Sequence, residues 1–388
     1  MPQKKYQAKY KPPASRKKVG HPFYWLLALA LAAFFGWLWW RPGHDADRKP
    51  ASIKAKTNAT IVAATKPAVA YSAAPTNSVR RNAAPLPIIP PATNQSAAPA
   101  TQFPRPVQNP FEAQVALIGL GISSGSLDGS IGSQTRAALS AFQWQESLPG
   151  TGELDAATRA KLILETSPTT TYTITPADLA RLQPIAPTWL GKSQQNALDF
   201  ENILELVAEK SFSHPNLIRR LNPGINWSNV VAGTVVLVPN ASYPETPSKA
   251  AWVTIHLSAK TLEAYDAETN LVAHFPCSIA KRVEKRPVGL LRVVVVAPNP
   301  NYTFDPDVFP ESPEAHELKR KLILPPGPNN PVGVAWIGLD RPGYGIHGTP
   351  RPEDIGRTES HGCFRLANWN AEFLLRLITI GTPVYVVE

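Results

Sequence analysis

The chain has 388 residues, which is longer than one typical domain, and we expect two or three domains. Its formal net charge is +10, but seven basic residues lie at the extreme N-terminus with no acid among them. The remainder is only mildly basic, which excludes a strongly basic nucleic-acid-binding body and predicts no nucleic-acid partner. Much of the proline lies before residue 110, so that region is not predicted to be a packed domain.

Residues 23–40 form an uncharged apolar segment that follows a basic and polar tail at 1–22. Its eighteen residues, at about 1.5 Å of helix each, span about 27 Å, which is enough for a bilayer core. Aromatic residues lie at both ends of the segment, as in the aromatic belts of membrane spans. We therefore expect one transmembrane anchor with the tail in the cytoplasm. A cleaved signal peptide and a buried helix of a soluble protein are the alternatives.

Residues 41–108 are rich in Ala, Pro, Ser, Thr and Asn and contain almost no aromatic residues. Such a composition buries too little apolar surface to offset the entropy of folding. We expect an extended, partly polyproline linker that carries the following domains many tens of ångströms from the membrane.

Residues 109–166 return to helical periodicity in three apolar segments. Turns at 127–132 and 150–155 separate these segments, and each turn contains an aspartate suited to a turn or N-cap position. With Ala-Phe-Gln at 141–143 near the end of the second segment, the arrangement resembles the peptidoglycan-binding type 1 domain, a small three-helix module. The resemblance implies binding to peptidoglycan, and a helical spacer without a ligand is the alternative.

Residues 171–241 begin and end with strand-like stretches, and a helix is predicted at 203–210 between them. This order, with Leu-Asn-Pro at 221–223 and Val-Pro-Asn at 238–240, resembles the α+β LysM fold, which in other proteins binds N-acetylglucosamine polymers. The sequence departs from that family by an insertion that extends to about residue 200. A structural domain that packs on its neighbour is the alternative to a sugar-binding one.

The chain becomes β-rich over residues 251–388. The patterns predict a hairpin at 253–257 with 261–265 and a buried strand at 290–296. A proline-broken and then helical segment at 301–321 is suited to a lid or substrate wall. A helix is expected at 370–380 and a last strand at 384–387.

The strongest chemical signal is a histidine and a cysteine close together near the C-terminus, His347 and Cys363. A thiol attacks a carbonyl only as thiolate, so it needs a base or a cation nearby, which His347 or His361 can supply. Gly362 permits a turn that exposes the sulfur and lets amide N–H groups face an oxyanion. The other cysteine, Cys277, lies in an apolar run and is predicted to be a core residue.

The complete pattern, His-Gly-Thr at 347–349 followed by Ser-His-Gly-Cys-Phe-Arg-Leu at 360–366, resembles the L,D-transpeptidase (YkuD) catalytic domain. The resemblance covers residues 251–388 and implies a β-rich fold. It also implies that Cys363 is the nucleophile, His347 the base, and His361 with Gly362 the oxyanion region. Flanking motif positions are assigned to substrate binding: Ser360, Arg365, Gly348 and Thr349.

Three details of this site are further expectations. The second ring nitrogen of His347 needs a fixed acceptor, and we expect a backbone carbonyl such as that of Gly348. The thiol and imidazole are expected to form an ion pair, which lowers the pKa of Cys363 and raises that of His347. Arg365 is expected to bind a substrate carboxylate, with a structural ion pair as the alternative.

The resemblance implies a reaction on peptidoglycan stem peptides. Cys363 attacks the carbonyl before D-alanine, D-alanine leaves, and an amine of a second stem resolves the thioester to give a 3→3 crosslink. Water, a D-amino acid or a lysine of an outer-membrane lipoprotein is the alternative acceptor, and a non-catalytic wall tether is the alternative in another class. No cofactor or metal is implied.

The resemblance also implies a location and a division of labour among the domains. The chain is expected in a bacterial inner membrane, anchored through residues 23–40, with the catalytic domain in the periplasm. Deletion of residues 110–240 is expected to lower activity on intact sacculi more than on soluble tetrapeptide, because these domains supply affinity for wall peptides and glycan.

Overall fold

The computed structural model describes residues 102–245, 247–309, 312–358, 360 and 362–388. The predicted tail, membrane anchor and all but the end of the predicted linker lie outside these residues, and so does His361. Within the described ranges, no helix is both long enough and apolar enough to cross a bilayer.

Residues 105–164 form a helical module that contains the three predicted helices. Two aspartate predictions are confirmed here, because Asp155 caps a helix by accepting a hydrogen bond from Thr158 N at 2.8 Å, and Asp128 accepts one from Ser130 N at 2.8 Å in a turn. Two short antiparallel strands join the ends of the module. The elements are β1 (Arg105–Pro106), α1 (Pro110–Gly119), α2 (Ser133–Gln145), α3 (Ala156–Lys161) and β2 (Ile163–Leu164).

Residues 169–240 form a middle module in which two antiparallel strands enclose four helices. The predicted helix at 203–210 is confirmed with the same bounds, and its apolar side chains pack with Ile174, Ile218 and Val236 in a separate small core. The insertion contains an additional short helix. The elements are β3 (Thr169–Thr173), α4 (Pro176–Ala180), α5 (Trp189–Ser193), α6 (Ile203–Lys210), α7 (Pro215–Leu221) and β4 (Val235–Pro239).

Residues 250–388 form a C-terminal domain built on an eight-stranded mixed sheet in the order β13-β12-β11-β8-β14-β5-β6-β7. Two further strands, β9 and β10, form a separate two-stranded antiparallel sheet. The strands are β5 (Trp252–His256), β6 (Thr261–Tyr265), β7 (Leu271–Pro276), β8 (Gly289–Pro298), β9 (Tyr302–Phe304), β10 (Leu322–Leu324), β11 (Ala335–Leu339), β12 (Gly345–His347), β13 (Phe364–Arg365) and β14 (Pro383–Val387). The helices are α8 (Pro313–Glu317) and α9 (Asn368–Leu377), with 3₁₀ turns at Val283–Lys285 and Pro352–Asp354.

The predicted hairpin, the last helix and the last strand are confirmed in this domain, but the prediction of a buried strand at 290–296 is wrong. Strand β8 lies in the middle of the sheet, yet Leu290, Val294 and Val295 are exposed while Leu291 and Val293 are buried. Its two neighbours in the sheet are both antiparallel, and an antiparallel arrangement leaves one face open to solvent. The continuous apolar run therefore does not indicate burial on both sides.

The helical module and the C-terminal domain share one hydrophobic core. The chain after α1 runs beside β7, where Ser123 N donates to His274 O at 2.8 Å and His274 N donates to Gly121 O at 3.1 Å. Gly121 has φ +81°, and a Cβ there would lie 2.5 Å from Val272 O. This close approach of two backbones requires glycine.

The middle module contacts the C-terminal domain through its insertion. The indole of Trp189 stacks on Phe304 at 4.4 Å between ring centroids, and Trp189 N donates to the Glu314 carboxylate at 2.8 Å. Leu198 N donates to Pro326 O at 2.9 Å. The segment at 301–321 predicted as a lid or substrate wall contains β9 and α8, and it is packed against the middle module through Phe304 and Glu314.

Candidate active site

Cys363 and His347 lie on neighbouring parallel strands. His347 ends β12, Cys363 immediately precedes β13, and His347 lies opposite Arg365 in the strand register. Residues paired across two strands project from the same face, so Arg365 and His347 lie side by side on the sheet. Cys363 lies two residues before Arg365, so strand pairing places the segments that carry the predicted nucleophile and base next to each other.

The side chain of His347 is buried, with 6% of the residue exposed, and its ring stacks on Trp336. His347 Nδ1 lies 2.6 Å from Gly348 O, so Nδ1 carries the proton and donates it to this carbonyl. The prediction of Gly348 as the acceptor is confirmed, and it leaves Nε2 as the proton-accepting nitrogen. Burial lowers the pKa of His347 to about 4, although the Gly348 hydrogen bond opposes this shift.

Cys363 is half-buried and its sulfur lies 3.6 Å from Gly343 O, which accepts a hydrogen bond from the thiol. Burial raises the pKa of Cys363, while the backbone of Gly345 and the positive charge of Arg365 oppose the shift. Both members of the pair are therefore neutral at neutral pH. The expected thiolate–imidazolium ion pair is wrong for this structure, because a low-dielectric site disfavours both charged forms.

Ser360 and Gly362 build the turn that presents Cys363. Ser360 Oγ donates to Cys363 O at 2.5 Å and accepts from Gly362 N at 3.3 Å. The backbone of Ser360 is tied to the neighbouring segment through Ile279 O at 2.9 Å. Ser360 thus fixes the nucleophile's own backbone, and its contact with substrate stays a prediction, as does the oxyanion role of Gly362.

Gly348 and Thr349, which directly follow His347, are buried. Thr349 N donates to Asn368 Oδ1 at 2.9 Å, and Thr349 Oγ1 accepts from Arg351 N at 3.3 Å. These contacts shape the loop after β12. Substrate binding by the two residues stays a prediction.

Arg365 is half-buried beside the pair, and its Nη2 donates to Thr358 Oγ1 at 3.3 Å. Burial lowers the pKa of Arg365, and the negative charge of Asp354 opposes this shift. The positive charge of Arg365 favours the thiolate form of Cys363. Whether it also binds a substrate carboxylate stays a prediction.

Sequence reasoning missed two residues near the site. Asn368 begins α9 and bonds the His347 loop, and its position directly after the cysteine motif was the available signal. Tyr302 lies on β9, where burial, with a smaller contribution from Cys363 once its thiol is ionised, raises the pKa of Tyr302 to about 12. No pattern in the sequence placed β9 near the cysteine. Cys277 is fully buried as predicted, and burial raises its pKa to about 12.

Two family models match the chain. Residues 250–386 match the L,D-transpeptidase catalytic domain, and residues 108–162 match the "Putative peptidoglycan binding domain". These matches coincide with the C-terminal domain and the helical module.

Similar proteins carry related names. The "Putative L,D-transpeptidase YkuD" of Bacillus licheniformis is 28% identical over 47% of this chain and 91% of its own length. The "Probable L,D-transpeptidase YbiS" of Escherichia coli is 30% identical over 43% of this chain. The chain spans about half of the YbiS length, 54%. A crystal structure of the L,D-transpeptidase from Xylanimonas cellulosilytica has 17% identity and a TM-score of 0.31, covering 75% of this chain and 100% of that chain.

Proposed function

We propose that this chain crosslinks peptidoglycan stem peptides, because its residues 250–386 match the L,D-transpeptidase catalytic domain. One observation carries the proposal. The pairing of β12 with β13 places the segment of a half-buried thiol next to that of an imidazole whose Nδ1 proton is held by Gly348 O at 2.6 Å. An imidazole fixed in this tautomer is suited to accept a proton through Nε2.

The first half of the reaction is acylation of the cysteine. His347 Nε2 takes the thiol proton as Sγ bonds to the carbonyl carbon that precedes D-alanine in the donor stem. The tetrahedral intermediate collapses, the carbon–nitrogen bond to D-alanine breaks, and His347 returns the proton to the leaving amine. A thioester on Cys363 and D-alanine are the products.

The second half transfers the acyl group. An acceptor amine attacks the thioester carbonyl and gives up a proton to His347. The carbon–sulfur bond breaks, the sulfur recovers the proton, and a new amide joins the two stems. The charge of Arg365 and the backbone of Gly345 stabilise the negative sulfur that forms transiently in both halves.

The other parts of the chain suggest how the enzyme reaches its substrate. The helical module matches a peptidoglycan-binding family, which supports binding to the wall. The strand–helix–strand arrangement of the middle module supports a LysM-like contact with glycan, and the apolar segment at 23–40 supports an inner-membrane anchor with the catalytic domain in the periplasm. A phosphatase fused to the C-terminus should be active outside the cytoplasm, and recovery of a mature chain starting beyond residue 40 would contradict the anchor.

The activity is tested with the full-length chain and a purified disaccharide-tetrapeptide. We expect intact-mass analysis to show a dimer that has lost one D-alanine, and Cys363→Ala to give none. A tripeptide product would instead identify water as acceptor, and exchange with added D-amino acid or linkage to a lipoprotein lysine would identify those acceptors. Absence of any product, together with absence of an acyl group on Cys363, would refute the proposal.

A further inference from the structure

We propose that Asn368 is a positioning residue for the catalytic base His347, and that Glu209 of the middle module holds Asn368 in place. The inference rests on the proposed function in one respect, namely that His347 is the base. It assigns part of the active-site support to a module outside the catalytic domain.

The amide oxygen of Asn368 organises the two backbone segments behind His347. Asn368 is 1% exposed, and its Oδ1 accepts hydrogen bonds from Thr349 N at 2.9 Å and Val334 N at 3.3 Å. Thr349 belongs to the loop that follows β12, and Val334 directly precedes β11. The oxygen therefore joins the loop of the base to the neighbouring strand of the sheet.

The contact reaches His347 through Gly348. A Cβ at Gly348 would lie 2.2 Å from Asn368 Oδ1, and one at Gly333 would lie 1.9 Å from it, so the amide packs directly on both glycines. Gly348 also provides the carbonyl that accepts the Nδ1 proton of His347 at 2.6 Å. Displacement of Asn368 would therefore free the residue that sets the tautomer and orientation of the base.

The amide nitrogen of Asn368 faces the middle module. Its Nδ2 donates to Glu209 Oε1 at 2.8 Å and to Pro328 O at 3.2 Å. All four contacts depend on one amide orientation, because a rotated amide would place its NH₂ against two N–H donors and its oxygen against two acceptors. Glu209, on α6, contributes to this orientation from 159 residues away in the sequence.

The protonation state of Glu209 agrees with this role. Burial raises its pKa to about 8, and the nearby carboxylates of Glu205 and Glu353 add to the shift while the Asn368 hydrogen bond opposes it. The carboxyl group is therefore mostly neutral at neutral pH, and glutamine is its isosteric substitute with the same acceptor oxygen.

The consequence is a dependence of catalysis on docking of the middle module. When α6 is seated against the C-terminal domain, Glu209 completes the contacts of Asn368 and the His347 loop is fixed. Without that contact, the C-terminal domain retains Cys363 and His347, but the carbonyl that orients the imidazole has lost part of its support.

The test uses the full-length chain with substitutions at both ends of the contact. Glu209→Ala is expected to lower kcat about tenfold with little change in KM, because a buried hydrogen-bond donor loses its partner without loss of substrate contacts. Glu209→Gln should remain within about twofold of the wild type, since the acceptor oxygen is kept. Glu205→Ala is the matched control, because this residue lies one turn earlier on α6 and bonds Asn329 Nδ2 at 2.6 Å instead of Asn368.

A second readout does not need peptidoglycan. Proton–nitrogen NMR of the His347 ring is expected to show a slowly exchanging Nδ1 proton in the wild type and in Glu205→Ala. That proton should exchange at least tenfold faster in Glu209→Ala and in Asn368→Ala. Should Asn368→Ala not fold, Asn368→Asp serves instead, because it keeps the oxygen that accepts from Thr349 N and Val334 N and replaces the donor to Glu209 and Pro328 by a second oxygen.

The outcomes are distinguishable. The proposal would be overturned if the exchange rate of the His347 Nδ1 proton were unchanged in folded Asn368 and Glu209 variants. An equal loss of kcat in Glu205→Ala and Glu209→Ala would also overturn it. The wild type could lack crosslinking activity while the exchange rate of its His347 Nδ1 proton still depends on Glu209. That result would support the positioning role and refute the proposed reaction.

Discussion

Cys363 and His347 show how packing, more than sequence proximity, sets the charge state of a catalytic pair. Burial raises the pKa of the thiol and lowers that of the imidazole to about 4. The imidazole can therefore accept a proton at any pH above about 4, and this capacity is lost as the pH falls through that value. The thiol stays protonated through neutral pH, so its proton must move during the attack on substrate.

This arrangement predicts the alkylation of Cys363. Iodoacetamide reacts with thiolate, so the alkylation midpoint should lie above about 8.5, the pKa of an unperturbed thiol. His347→Gln should leave that midpoint almost unchanged, because a neutral imidazole gives the thiolate no charge, yet the variant should abolish acyl transfer. Alkylation followed by mass spectrometry measures the midpoint, with Cys363→Ala as the control for reaction at Cys277. A midpoint well below 8.5 that rises in His347→Gln would instead demonstrate an ion pair.

Residue roles were predictable to the extent that they depend on local sequence. The motif identified Cys363 and His347, and the need for an acceptor pointed to Gly348, whose carbonyl accepts the proton. The charge states were not predictable, since burial of the pair depends on Trp336 and other packing from distant parts of the chain. The Asn368–Glu209 contact, between residues far apart in sequence, leaves no periodic signal.

At the scale of single elements, the chain between α1 and β7 shows where two modules meet most closely. Gly121 combines φ +81° with a position 2.5 Å from Val272 O for any added Cβ. Gly119, two residues earlier at the end of α1, has no atom within 4 Å of such a Cβ and no positive φ. The two glycines form a matched pair in nearly the same sequence context.

Alanine substitutions at this pair should have opposite effects on stability. Gly121→Ala is expected to destabilise the chain by about 1–3 kcal/mol, because alanine must adopt a strained backbone and push β7 away. Gly119→Ala should be neutral or stabilising by up to about 1 kcal/mol, through helix propensity. Thermal and urea denaturation measure both, and equal midpoints for the two variants would contradict the close packing of α1 on β7.

The elements themselves were largely predictable because periodicity and turn residues report local structure. The helix at 203–210, the hairpin and the last helix and strand were found as expected. Strand β8 was located correctly but assigned to the wrong environment, because an apolar run does not reveal which face a neighbouring layer covers. The parallel pairing of β12 with β13 could not be derived from local pattern, although it builds the site.

At the scale of the whole molecule, the contacts between the modules change the result that is expected from deletion of residues 110–240. The helical module shares its core with the sheet of the C-terminal domain, and the middle module contributes Glu209 and Trp189 to contacts with that domain. Removal of residues 110–240 would expose much of this apolar surface to water. The expectation that the deletion lowers activity more on sacculi than on soluble tetrapeptide assumed independent wall-binding domains. Modules that share apolar contacts with the C-terminal domain do not meet that assumption.

We therefore expect the deletion to lower activity on sacculi and on soluble tetrapeptide alike.

A surface substitution distinguishes structural support of the C-terminal domain from affinity for the wall more clearly than the deletion does. Trp144, on α2 of the helical module, is 72% exposed. Replacing it by alanine removes a large aromatic surface of the kind that contacts ligands, with little effect on the core. Turnover of soluble tetrapeptide should stay within about twofold, while binding to sacculi in a pelleting assay falls severalfold.

Ser140→Ala is the control for this comparison, because it lies one turn earlier on α2 and loses only an exposed hydrogen bond, from its Oγ to Gly150 O at 3.3 Å. Parallel losses on both substrates in Trp144→Ala would mean that this face supports the fold. Unchanged binding to sacculi would place the wall contact elsewhere. A loss confined to sacculi in Trp144→Ala, together with a deletion that fails on both substrates, would show that residues 110–240 both bind the wall and support the C-terminal domain.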